Sequence, residues 1–86
     1  MIVIKDIAPK TPIHYLIIPK KHIVDLQSLE PADKSLACDM LFMAQELSQD
    51  LPGSKAFRLV ANNGRDAGQR VFHLHLHFLA GKELEF

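Results

Sequence analysis

At 86 residues, with 48% apolar and 23% charged side chains, the chain has the size and composition of one small globular domain. Ten basic and ten acidic residues cancel, which excludes attachment to nucleic acid or an anionic membrane by bulk charge. The single cysteine, Cys38, excludes a disulfide framework or a multi-cysteine zinc site. Apolar runs fall far short of the ~20 residues a membrane span requires, and no signal-peptide pattern opens the chain, so a cytoplasmic protein is expected.

The cancellation is uneven. Lys5, Lys10, Lys20 and Lys21 face only Asp6 in the first 24 residues, whereas residues 25–51 carry six acids against Lys34. Lys55, Arg58, Arg65 and Arg70 then outnumber Asp66. Local basic clusters of this kind attract an anion without making the whole protein basic.

Residues 1–6 read as a short β-branched strand, broken by Pro9 and Pro12, each of which lacks a donor and restrains its predecessor. His14 to Ile18 is a second strand, apolar on both faces and so expected at the centre of a sheet; Pro19 ends it. Residues 32–51 are the one convincing helix. Leu36, Met40, Met43 and Leu47, widened by Ala37, Ala44 and Leu51, make one apolar stripe. Pro31 suits a first helical position, Asp33 favours the positive end of the dipole, and Pro52-Gly53 is a stop. Cys38 and Phe42 lie off the stripe. They either widen the core face or form a patch covered by a second subunit.

Phe57 to Ala61 is a third strand, followed by the polar loop Asn62 to Gly68. Val71 to Leu79 is a fourth strand, with Phe72, Leu74, Leu76 and Phe78 alternating against His73, His75 and His77. The order predicts an α+β domain: a mainly antiparallel sheet of about four strands with one main helix packed on one face.

Alternation gathers the three imidazoles on one face of the last strand. Each carries a donor and an acceptor that need partners, so a core face is excluded. Three readings remain: a polar solvent face, a metal site of His73, His75 and a third ligand, or attack on phosphorus by a neutral imidazole. A ring with a pKa near 6.5 suits the last, being largely unprotonated at neutral pH.

The run His73-Leu74-His75-Leu76-His77-Phe78-Leu79 resembles the histidine-triad signature, His-φ-His-φ-His-φ-φ with φ apolar, at every position. Asp6-Ile7-Ala8-Pro9, Pro12-Ile13-His14 through His22, Asn62-Asn63-Gly64, Ala67-Gly68-Gln69 and Ala80-Gly81 resemble flanking segments of its Hint-like branch. That resemblance implies a HIT-like fold and a purine nucleoside phosphoramidate hydrolase, binding an AMP- or GMP-like monophosphate and usually forming a homodimer. It implies His75 as nucleophile, His77 on the phosphoryl group and His73 near the departing nitrogen. His14 is implied as support for the nucleophile's ring, Asp6 as the ribose acceptor, and Ile7 as a nucleoside contact. Asn62, Gly68, Gln69 and Arg70 are implied as phosphate binders. His22 is expected to be a turn residue near the site, and no cofactor is expected.

Two departures qualify the resemblance. Arg70 stands where Ser or Thr is usual, so it either pairs with phosphate or points to solvent. The helix and strand that usually precede this segment are absent from the sequence, so a domain short at its front is expected. The alternative in a different class is a nucleotide-binding or interaction module with little turnover.

Overall fold

Pro9 and Pro12 end the first extended run, and the chain doubles back between them. In the computed structural model, which describes residues 1–85, strand β1 (Ile2–Lys5) pairs antiparallel with β2 (Ile13–Ile18). Helix α1 (Lys34–Asp50) follows, then β3 (Phe57–Val60) and β4 (Leu76–Ala80). All pairings are antiparallel and the spatial order is β1-β2-β4-β3, so β2 and β4 are the inner strands. The α+β architecture read from the sequence is the one observed, with the apolar β2 flanked on both sides. No helix among the described residues is long and apolar enough to cross a membrane.

The helix begins later than its pattern suggests. Pro31–Asp33 forms a single 3-10 turn, and the α-helix proper starts at Lys34. Asp33 explains the boundary. Its carboxylate accepts the Glu30 N–H at 2.9 Å and the Lys21 ammonium at 2.6 Å, tying the helix entrance to the segment leaving β2. At the other end Gly53 adopts φ 82°, and the buried Ser54 hydroxyl lies within 3.0 Å of the Leu47 and Leu51 carbonyls. Those oxygens also accept the Leu51 and Ser54 backbone N–H groups respectively, so the hydroxyl adds a second bond to each at the helix end.

Met40 and Ala44 enter the core with Ile17, Ile23, Leu74, Leu76, Phe78 and Ala80, while Leu36, Met43 and Leu47 pack against its margin. Cys38 is exposed and Phe42 is 66% exposed, so neither widens the core face.

The fourth strand is shorter and later than the alternation suggests. Only Leu76–Ala80 is on the ladder; residues 71–75 approach it without pairing. The cause lies in the neighbour. Ile17 is the last β2 residue opposite β4, and Pro19 soon ends β2, so no strand remains for residues 71–75 to join. The Leu74 N–H bonds the Ile23 carbonyl instead, at 2.6 Å. The inward set is accordingly Leu74, Leu76, Phe78 and Ala80, and Phe72 stands 48% exposed rather than over the helix stripe.

Candidate active site

In register, His14 faces Leu79 and Arg58, and Leu16 faces His77 and Val60. Residues opposite one another share a face, so His14, His77 and Arg58 project from the side of the sheet away from α1. His75 enters just before the ladder, its ring 5.1 Å from that of His77 in an edge-on arrangement.

The hydrogen bonds fix where the protons sit. His75 Nδ1 lies 2.8 Å from the His73 carbonyl oxygen. A carbonyl only accepts, so Nδ1 donates, and the neutral ring carries its lone pair on Nε2. The His77 tautomer is fixed by a longer chain. The Lys10 N–H donates to His14 Nδ1 at 3.1 Å, so the His14 proton is on Nε2. That Nε2–H donates to His77 Nδ1 at 2.9 Å, which leaves His77 with its proton on Nε2. His75 thereby presents a lone pair at Nε2, and its neighbour His77 presents an N–H.

Both relay rings are held neutral. Burial lowers the His14 pKa, the Asp6 carboxylate opposes this, and Lys10 adds to it. Burial likewise lowers His77, with His75 and His14 adding to the effect. Asp6 Oδ2 is 3.5 Å from His14 Nε2, beyond a good hydrogen bond but close enough to act through charge.

The family resemblance implied that His14 supports the ring of His75. The structure instead pairs His14 with His77, and the backbone of His73 braces His75. Metal ligation by His73 and His75 is not what the geometry offers. His73 Nε2 bonds the Pro19 carbonyl at 2.8 Å, and the only group of three ligating residues among those described is Asp6, His14 and His77. There the Lys10 N–H opposes a metal, because it holds a proton on the His14 nitrogen that would have to coordinate.

The loop residues divide. Asn62 lines the His77 cavity and donates to the Ala67 carbonyl at 2.9 Å. Gly68, at φ 95°, supplies the left-handed turn that lets the loop close over Asn62. Gln69 is 2% exposed and not available to a phosphate. Its Oε1 accepts the Gly64 N–H, and its Nε2 donates to the Val24 and Val71 carbonyls. The Arg70 guanidinium reaches back to the Arg65 carbonyl at 3.4 Å and lines a separate cavity with Arg65, Gln69 and Phe72. Arg70 is therefore not brought to the triad. Ile7 is fully exposed, and Asp6 lines the His77 cavity.

Two participants escaped the sequence reading. Lys10 acts through its backbone, which no residue type announces. His22 is more than a turn residue, since its ring stands 5.1 Å from that of His73 and its Nε2 is 3.2 Å from the Phe72 carbonyl.

The model of the HIT domain matches residues 1–84. The chain belongs to the HIT family. It is 47% identical over 78 residues to an uncharacterized HIT-like protein of Synechocystis sp., covering 91% of this chain and 68% of that one. It is 48% identical over 80 residues to another from Chlamydia muridarum, covering 93% and 64%. The chain thus spans about two thirds of the length of these HIT-like relatives. Among solved structures, a HIT family hydrolase from Legionella pneumophila superposes with a TM-score of 0.90 at 38% identity, covering 98% of this chain and 76% of that one. A histidine triad protein from Clostridium difficile gives 0.91 at 32% identity, covering 98% and 74%. The HIT fold expected from the triad motif is the fold observed.

Proposed function

We propose that this HIT protein is a nucleotide-binding hydrolase that cleaves nucleoside 5′-phosphoramidates, or related P–X bonds, through a covalent nucleotidyl intermediate on His75. The observation that carries this reading is the 2.8 Å bond from His75 Nδ1 to the His73 carbonyl, which keeps the opposite nitrogen unprotonated for attack.

In the first step His75 Nε2 forms a bond to phosphorus as the bond to the amine breaks, and the amine leaves with a proton from solvent. His77 Nε2–H donates to a non-bridging oxygen. Asn62 assists from the same cavity. The nucleotidylated ring gains positive charge, and the His73 carbonyl stabilises it through Nδ1–H. Water then attacks phosphorus, the bond to Nε2 breaks, the surplus proton returns to solvent and a nucleoside monophosphate is released. His73 itself, with Nε2 bound to Pro19, serves as a fixed strut beside the departing group.

A purine monophosphate, its ribose on Asp6, is the ligand proposed by family resemblance. A homodimer is proposed on the same ground; Leu41 and Phe42, 60% and 66% exposed on α1, give it an apolar face to cover, and the native mass tests it. A cytoplasmic setting remains part of the proposal. The test of function is turnover of an adenosine phosphoramidate by wild type and by His75→Gly. Loss of turnover in the variant is expected; equal rates would reject the mechanism, and AMP binding without turnover in wild type would favour a binding module.

A further inference from the structure

We propose that His22 is a positioning residue for the nucleophile: through the Phe72 carbonyl and the His73 ring it fixes the peptide whose oxygen holds His75 Nδ1–H. This deepens the nucleotidyl reading above and rests on it for the effect on turnover. The effect on the His75 ring is independent of any substrate.

Residues 71–75 have no strand partner, so the sheet does not set the direction of the His73 carbonyl. The connection leaving β2 sets it instead. The peptide between His73 and Leu74 is planar, with its C=O and N–H on opposite edges. Its N–H donates to the Ile23 carbonyl at 2.6 Å, and its oxygen accepts His75 Nδ1–H at 2.8 Å. Ile23 belongs to the buried core, so that edge of the plane has a firm anchor. One bond still leaves a hinge: the plane can turn about the N–H···O line and carry the carbonyl off His75.

His22 closes that hinge from two sides. Its Nε2 lies 3.2 Å from the Phe72 carbonyl, and a carbonyl only accepts, so Nε2–H donates and ties down the preceding peptide. Its ring stands 5.1 Å from the His73 ring at a tilt of 40°, within the range of aromatic pairs. His73 in turn donates from Nε2 to the Pro19 carbonyl at 2.8 Å. With the Phe72 peptide and the His73 side chain both held, the His73 carbonyl stays on His75. His22 itself is exposed and lines neither the His77 cavity nor the slot of Leu16, Ile18 and Val71 beside His75, so it acts through other residues and not on a ligand. Without it the carbonyl is free to tilt. His75 can then carry its proton on Nε2, the nitrogen that attack requires bare.

Nitrogen-15 NMR of the imidazoles, with His75 assigned by the signals missing from His75→Gly, reads the tautomer directly. Wild type is expected to show His75 protonated at Nδ1 alone, and His22→Ala to add a fraction protonated at Nε2. His22→Phe keeps a ring against His73 but has no donor, and should behave as His22→Ala does. His22→Gln, whose amide donates from a similar reach, should restore the wild-type spectrum. With an adenosine phosphoramidate, kcat should fall about five- to ten-fold in the Ala and Phe variants, the rate worth of one ordinary hydrogen bond, while KM and AMP affinity stay within about two-fold. If His22→Ala fails to fold, the Phe and Gln variants decide. A His75 spectrum unchanged in the variants lacking the donor, or a loss of rate carried by KM, would overturn the positioning role and leave the nucleotidyl reading intact. If wild type turns over no phosphoramidate, that reading fails, and the tautomer spectra alone decide whether His22 positions His75.

Discussion

The His14 Nε2 proton lies on a 2.9 Å path to His77 Nδ1, and the Lys10 N–H behind it leaves that proton no other place. His77 therefore keeps its own proton on Nε2 because of the ring and backbone N–H behind it. Replacing His14 by Ala removes the constraint and frees His77 to present either nitrogen. We expect turnover to fall about ten- to a hundred-fold, the usual scale for a lost orienting partner, with kcat falling more than KM affected. His14→Gln, whose side-chain amide retains a donor, should recover part of the rate. Full activity in His14→Ala would contradict the relay.

The same two rings set an acid limit. Both have pKa values lowered below the ordinary 6.5, chiefly by burial. As pH falls through 6.5 the unfolded chain takes up protons that the folded chain refuses, so stability is complete above that pH and is lost below it. Thermal unfolding measured between pH 8 and about pH 5 should show the midpoint falling on the acid side, with a shallower fall in His14→Gln. A midpoint that holds steady from pH 8 to about pH 5 would contradict this.

Gln69 braces the loop rather than the ligand. Truncation to Ala leaves the Gly64 N–H and the Val24 and Val71 carbonyls without their partner. The expected loss is about 2–3 kcal/mol of stability, read from urea unfolding. A change below about 0.5 kcal/mol, the range of neutral surface substitutions, would refute the bracing role.

Arg70 should matter little to chemistry. Its guanidinium sits on the Arg65 and Gln69 carbonyls, lining a cavity apart from His77. Arg70→Ser is expected to keep kcat/KM within about two-fold, against the 10²–10³ seen when a donor to developing charge is removed. A loss approaching that larger range would return Arg70 to the site.

The triad was legible because period-two alternation of three histidines has few physical uses, and the α1 stripe was legible from Leu36, Met40, Met43 and Leu47. The partner of His14 was not. It depends on β2 lying against β4 in a register that brings together residues 63 apart in the chain, which neither segment encodes alone. The late start of β4 was hidden for a similar reason, since Pro19 terminates a neighbouring strand rather than its own. Gln69 and Arg70 sit side by side in the sequence, yet one is buried and the other exposed. Only the closure of the loop around Gly64 and Gly68 decides which is which.

Trapping the covalent species tests the central claim most directly. Rapid mixing with an adenosine phosphoramidate, alkaline quenching to preserve a phosphorus–nitrogen bond, and peptide mass spectrometry should find the nucleotidyl group on His75. It should be absent from His75→Gly. A nucleotidyl group on His73 or His77, or continued turnover by His75→Gly, would contradict it.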